Sequence, residues 1–436
     1  PGIPLNPRHH RLTQFTITKE PLIMAPDTAV QNNATADSAP VTELVARAAA
    51  LGPTIFERRK ETAENRSVPE ASIADLVESK VLRACMPKRF GGYELPFGAH
   101  TDVAMELAKH CGSTGWVSGI IGSHNWWLGK YEPDAQHEVW GDNPDALVGA
   151  AFASQPGSGG KPAKGGITVS GTWMYCSGIA HCDWVSLMTP VFDGDGPPDL
   201  NMVLLKKGEY KIDDVWFSPG MRGTGSNNVV VEDLFVPAHR VTRVAELNSK
   251  DSPGCKLNTS AVYKLPMLDV FGYSVAIPTL GCAIGTLDHF LNGMRGRTGQ
   301  DKSKVAELQS LQLRAAESSA EIDAALAIYR GDLAHMWAAA DEDRNLRPDE
   351  LLKFKRNCAY VATLSKRAAS RVIESMGAGG MTDSNPAHTS FSDTLAGAAH
   401  GALSWDRNAT FWGKQLFGLN DGQTDLDRRT AAAAKD

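Results

Sequence analysis

The sequence predicts an α+β chain in three segments: an N-terminal helical domain, a middle small antiparallel β domain and a C-terminal four-helix bundle. Three observations lead there. Apolar residues recur at helical spacing from Val41 to Trp140. Between about Leu147 and Val244 the texture becomes short β-branched runs divided by Gly, Pro and Asp, and after about Leu265 the helical period returns in long stretches. The expected boundaries are 41–146, 147–244 and 265–420, with a disordered or tag-like start at 1–40 and a tail at 421–436.

In the first segment Val41, Leu44, Val45 and Ala48 form one helical stripe, and Ile73, Leu76, Val77 and Val81 another. The run "MPKRFGG" ends the second helix. "CGSTGWVSGIIGSHNWWLGKY" then resumes a helix so rich in small and aromatic residues that tight packing is expected. In the middle segment "GITVSGTWMY", "DWVSLMTPVF", "LNMVLLKK" and "NNVVVEDLFVP" read as strands. In the last segment Val305, Leu308, Leu311, Ile322, Leu326 and Ile328 line one helix, and Leu351, Phe354, Val361, Leu364, Ala368 and Val372 line another. A third runs from about Asp393 past Trp412, and an uncharged helix beginning near Ser274 completes four.

Bulk properties narrow the function. The chain has 436 residues, 42% hydrophobic and 22% charged, with a formal charge of -6, which gives no reason to expect a nucleic-acid partner. Seven cysteines from Cys85 to Cys358, with no C-x-x-C pair, suit a reducing compartment, so a cytoplasmic location is expected. The opening stretch does not read as a signal peptide, and the residues before Met24 are set aside as vector-like. The uncharged run from Val270 to Leu287 raises the question of a membrane span. Its Gly, Ser, Thr and Pro content and the bracketing Asp269 and Asp288 favour a buried core helix, so no membrane association is expected.

Several chemistries lack their motifs. The sequence has no phosphate loop, no G-x-S-x-G turn, no H-E-x-x-H helix and no strand-G-x-G-x-x-G-helix unit for a nicotinamide cofactor. The stretch "WMYCSGIAHCDW", residues 173–184, supplies metal-ligand types in Cys176, His181, Cys182 and Asp183, but strand alternation would divide them between two faces, so no metal is expected. No cation stands nearby to stabilise a thiolate. Alternation could instead point Trp173, Tyr175 and Ser177 to one face, a hydroxyl between aromatic rings.

"GMRGTGSNNVVVEDLFVP", residues 220–237, resembles the segment that closes the β domain of the acyl-CoA dehydrogenase fold, and the order of segments after Val41 agrees. Within that fold "STGWVSGIIGSH", "WMYCSGIAHCDW" and "GAGGMTDSNP … AAH" are similar to flavin-dependent oxygenases, the larger components of two-component aromatic hydroxylases and the related indole oxygenases. The glutamate base of a dehydrogenase is missing from both "SWDRNATFWGKQLFGL" and "YKLPMLDVFGYS". The resemblance implies a monooxygenase that takes reduced flavin (FMNH2 or FADH2) from a separate NAD(P)H:flavin reductase. With dioxygen it would form a C4a-hydroperoxide that hydroxylates or epoxidises an aromatic substrate. Such an intermediate needs a dry site with fixed hydrogen bonds. The alternatives are acyl-CoA desaturation, and oxygenation of nitrogen or sulfur by the same flavin chemistry.

The resemblance also implies roles for single residues. Ser177 falls where a hydroxyl lies near flavin N5, with Tyr175 and Trp116 beside the ring. His124, two helical turns after Trp116, and His400 fall where histidines contact substrate, His400 being read as the base and His124 as the stabiliser, an assignment open to exchange. Arg295 and Arg297 occupy the place of a flavin-phosphate arginine, a solvated pair being the other reading. Gly379 and Gly380 fall in a turn that approaches a neighbouring subunit's flavin, which fits the family's homotetramer. Ser154 falls in the loop that lines the substrate space. One departure is the stretch "NPAHTSFSD", where Thr389 and Ser392 replace two arginines common among relatives. The tryptophans at 116, 126 and 127 suggest a flat substrate ring, with indole preferred to phenol.

Overall fold

The computed structural model describes residues 38–194, 196–299, 302–419 and 425–433, so most of the expected tag-like start lies outside the described residues. The helical first part comprises α1 (Ser38–Glu57), α2 (Arg59–Glu64), α3 (Glu70–Glu78), α4 (Gly98–Ala108), α5 (Gly112–Leu128) and α6 (Pro133–Trp140). Every residue of α5 is buried, which is why its sequence is apolar, small and aromatic on all sides.

The strands are β1 (Val148–Ala151), β2 (Ala153–Ser154), β3 (Gly159–Ala163), β4 (Gly166–Cys176), β5 (Trp184–Val191), β6 (Asp199–Lys206), β7 (Lys211–Asp213), β8 (Asn227–Pro237) and β9 (Val241–Arg243). They form one sheet in the order β7-β8-β4-β3-β5-β6-β9, with β1 on β5 and β2 on β4. The sheet is mixed rather than purely antiparallel, because β1 and β3 both run parallel to β5. That strand is buried along its whole length, as a strand covered on both faces must be. Its sequence, "WVSLMTPV", accordingly lacks a polar face.

After α7 (Val244–Leu247) and α8 (Met267–Val270) come α9 (Gly272–Arg295), α10 (Gln309–Asp341), α11 (Pro348–Ile373), α12 (Pro386–Ala398), α13 (Trp405–Leu416) and α14 (Asp425–Ala433). Met267–Arg295 is long and apolar enough to cross a membrane, but 94% of its most apolar window is buried inside the protein. A Cβ at Gly281 would lie 2.5 Å from the Met105 carbonyl oxygen, so glycine lets α9 approach α4 closely. Pro348 opens α11, and the Glu350 carboxylate accepts the Arg347 backbone N–H at 2.7 Å to cap it. The expected helix from Asp393 past Trp412 is interrupted. Its first half ends at Ala398, and His400 stands in the break with extended backbone angles (φ -57°, ψ 137°). The expected tail contains α14.

Asp102 on α4 ties the first part to the bundle, accepting from both the Arg330 guanidinium, at 2.7 and 2.8 Å, and the Tyr329 hydroxyl, at 2.9 Å, on α10. Asp102→Ala should leave a partly buried cation and a buried hydroxyl without their shared acceptor and destabilise the chain by about 2–3 kcal/mol, against about 1 kcal/mol for Tyr329→Phe. Urea unfolding followed by tryptophan fluorescence reads both, and equal effects would count against the tie.

Candidate active site

The site begins where α5 meets the end of β4. A register shift between Trp173 and Cys176 in the β4–β8 ladder marks a bulge, with Tyr175 at φ +65°, a left-handed conformation unusual for a bulky residue. The bulge corrects the expectation that Trp173, Tyr175 and Ser177 share a face. Trp173 is fully buried and donates its indole N–H to the Met188 carbonyl at 2.9 Å, whereas Tyr175 is 60% exposed beside Trp216. Ser177 turns inward and accepts the Trp116 indole N–H at 3.1 Å, joining sheet to helix.

The other polar residues of this stretch are structural. Cys176 and Cys182 are buried side by side against Gly149, where a Cβ would stand 3.2 Å from each sulfur, and burial pushes both thiols well above their usual range. His181 instead hydrogen-bonds Ser67 and Glu70. Among the described residues no group of three or more His, Cys, Asp and Glu side chains could hold a metal ion.

A run of aromatic contacts leads inward from Trp116. Its ring lies 5.8 Å from His400, which lies 6.3 Å from Phe271; Phe271 lies 5.7 Å from Trp127 and 5.0 Å from Phe152; Trp127 lies 4.6 Å from His124. His124 Nδ1 faces the Val148 carbonyl oxygen, so it must carry the proton, and Nε2 is left as an acceptor. His400 is the reverse. Its Nδ1 accepts the Ala402 backbone N–H at 3.2 Å, which puts the ring proton on Nε2. Burial pushes both imidazoles down to about 4, the Val148 carbonyl opposing this at His124 and Arg429 adding to it at His400.

The remaining candidates fall into two places. Ser154 pairs with Trp173 at the β2–β4 edge, two residues after Phe152. Arg295, Arg297, Gly379 and Gly380 are elsewhere. Arg295 is exposed and donates to Asn292, while Arg297 donates to the Met376 carbonyl at 3.0 Å, beside the Gly377–Gly380 turn. A helical rise of about 1.5 Å per residue puts Arg295 roughly 24 Å beyond Thr279, which lies beside Trp116 across Gly397. Within one chain these residues are therefore remote from Ser177. Gly380 is needed for close packing, since a Cβ there would stand 2.3 Å from Met376 Cβ, while Gly379 is open.

Sequence reasoning missed several groups. Phe152 and Phe271 read as ordinary core aromatics until folding places them, with Trp127, beside the histidines. Thr224 and Ser226, which the sequence marks only as part of the segment closing the β domain, are buried next to Ser177. Asp393 is buried and accepts the Met221 backbone N–H at 2.5 Å, and burial pushes its carboxyl up to about 7 although the Met221 and Gly112 amides oppose this. Asp269, the carboxylate in "YKLPMLDVFGYS", is paired with Lys355 at 2.6 Å and with Asn248.

The depressed His124 contributes to the acid sensitivity of the fold. The fold disfavours protonated His124, so its contribution is complete above the unfolded value of 6.5 and is lost as pH falls towards about 4. Between pH 7.5 and pH 5 His124 should account for about 2 kcal/mol of lost stability. Thermal unfolding of His124→Gln should show a correspondingly flatter pH profile; a slope equal to that of the parent would refute the assignment.

Comparison with known proteins gives this geometry its context. The family profile described as "Acyl-CoA dehydrogenase, C-terminal domain" matches residues 273–405. The chain is 34% identical over 372 residues, 85% of its own length and 97% of the other's, to the oxygenase subunit HsaA of a flavin-dependent monooxygenase from Rhodococcus jostii. It is 30% identical over 397 residues, 88% of its length and 96% of the other's, to the oxygenase component of an FADH(2)-dependent resorcinol hydroxylase from a Rhizobium species. The crystal structure of 3-HSA hydroxylase from Rhodococcus sp. RHA1 superposes with a TM-score of 0.84 at 34% identity, covering 88% of this chain and 98% of that one. The chain belongs to the family of flavin-dependent monooxygenase oxygenase subunits, oxidoreductases built on the acyl-CoA dehydrogenase fold.

Proposed function

We infer that the chain hydroxylates a phenolic ring held among Trp127, Phe152 and Phe271, using reduced flavin delivered by a separate NAD(P)H:flavin reductase. The observation that carries this reading is the pair of opposed histidines on one aromatic wall: His124 offers only an acceptor to the space beside it, and His400 only a donor. The hydrogen bonding favours exchanging the roles that sequence alone suggested. His124 Nε2 accepts a hydrogen bond from the phenolic hydroxyl, which raises electron density on the ring, and His400 Nε2–H donates to oxygen as negative charge gathers there. The relative named for resorcinol supports a phenol in preference to an indole, and its FADH(2) dependence supports FADH2 as the cofactor.

The residues present fit a flat ring with polar edges. The inward hydroxyl of Ser177 is fixed by Trp116, the strained bulge holds Tyr175 outward, and the indole N–H of Trp127 is buried without a partner among the described residues. Bound reduced flavin supplies the chemistry that activates dioxygen for transfer of one atom to the substrate. Buried Trp116 and Phe271 would exclude water, Ser177 would hold the edge of the ring, and Ser154 would border the substrate space. Asp269 is tied by Lys355 and Asn248, which disfavours it as the carboxylate base that acyl-CoA desaturation needs.

Arg295, Arg297, Gly379 and Gly380, remote from Ser177 in the same chain, are assigned to the flavin of a neighbouring subunit in a homotetramer. An open groove of about 680 Å³ on the bundle, lined by Leu313, Leu395 and charges of both signs including Arg314, Glu317 and Lys366, supports self-association. The cysteine pattern supports a cytoplasmic setting.

Purified protein given reduced FAD, oxygen and a panel of phenols and indoles should hydroxylate a phenol. His124→Ala should lower product formed per flavin oxidised by about 10²-fold and release hydrogen peroxide instead, with flavin affinity retained. Equal turnover in His124→Ala, His400→Ala and the parent, or anaerobic turnover of an acyl-CoA with an electron acceptor, would reject the reading.

A further inference from the structure

Behind Ser177 lies a chain of three buried hydroxyls. The oxygens of Ser177 and Ser226 are 2.8 Å apart, those of Ser226 and Thr224 are 2.7 Å apart, and the Thr224 hydroxyl donates to the Met221 carbonyl at 2.9 Å. At the other end Trp116 donates to Ser177. All three side chains are more than nine-tenths buried.

A hydroxyl has one proton, so the direction of the chain can be counted. With the Thr224 proton on the Met221 carbonyl, the Ser226–Thr224 contact requires the Ser226 proton, and the Ser177–Ser226 contact requires the Ser177 proton. Ser177 is then left with a lone pair free to accept from a ligand. Reversing the chain frees the Ser177 proton but forfeits one internal hydrogen bond and sets the Thr224 and Met221 oxygens face to face. The Met221 carbonyl still accepts from Trp216 Nε1 and the Thr224 amide in either state, and its own amide is fixed by Asp393, so the turn cannot easily swing away. The free protein therefore favours the orientation in which Ser177 accepts.

We propose that Ser226 and Thr224 are positioning residues that hold the Ser177 hydroxyl as an acceptor and thereby favour the reduced flavin ring over the oxidised one. Reduction turns ring-nitrogen acceptors of an isoalloxazine into N–H donors. The chain matches the donor without rearrangement, whereas the oxidised ring meets a lone pair unless all three protons reverse. The proposal rests on the placement of the flavin edge at Ser177.

The test is the ratio of affinities for dithionite-reduced and oxidised FAD, measured anaerobically by equilibrium ultrafiltration on the full-length protein. Ser226→Ala releases the Ser177 proton, and Thr224→Val, nearly isosteric, removes the terminal link; each should narrow the preference for reduced FAD by about five- to tenfold, the worth of one hydrogen bond. Thr224→Ser, which keeps the hydroxyl, should restore it. An unchanged ratio in both variants, with Ser177→Ala altering it, overturns the proposal while leaving the flavin placement standing. Unchanged binding of both flavin forms in all three, Ser177→Ala included, overturns the placement and the proposal together.

Discussion

A hydrogen bond of 3.1 Å from the Trp116 indole to the Ser177 hydroxyl joins the two halves of the site. One partner lies on a helix without an exposed residue and the other just beyond a strand end, so neither element can shift without breaking a buried polar contact. The surroundings enforce this. Gly397 lets Thr279, Met221 and Trp116 crowd together, since a Cβ there would stand 2.5, 3.1 and 3.3 Å from them, and the Gly178 amide donates to the Thr224 carbonyl at 2.7 Å, fixing the turn behind Ser177.

This arrangement explains why the fold uses three kinds of structure. The helix presents Trp116, His124 and Trp127 along one rod, the sheet and its connections add Val148, Phe152 and Ser177, and the bundle adds Phe271 and His400. The bundle contribution depends on a failure of helical continuity. Were α12 to run on through His400, the imidazole would lose the turn in which Ala402 donates to its Nδ1 and so selects its tautomer.

Much of the fold was legible because it follows from local periodicity. The stripes at Leu44, Ile73 and Leu76, the uniformly apolar α5 and the strand run at 229–231 all record burial along one element. What escaped depends on pairings between distant residues. Parallel pairing of β1 and β3 with β5 leaves no mark in any one strand, and the bulge at Tyr175 needs knowledge of the β8 register. The site shows the same division. Trp116, Ser177, His124 and His400 could be named from motif resemblance, but the tautomers of the two histidines follow from Val148 and Ala402, and the association of Arg297 with Met376 rather than with Ser177 follows from helix length.

The left-handed backbone at Tyr175 bears on how this protein would respond to selection for stability alone. An L-residue with a Cβ is held there at a cost of about 1–2 kcal/mol, which glycine would avoid. Because the ring is mostly in solvent, it recovers little of that through packing. A library sorted only for heat resistance would thus tend to discard the tyrosine, and its loss from such survivors would mark a position whose worth to the protein lies outside the folding equilibrium.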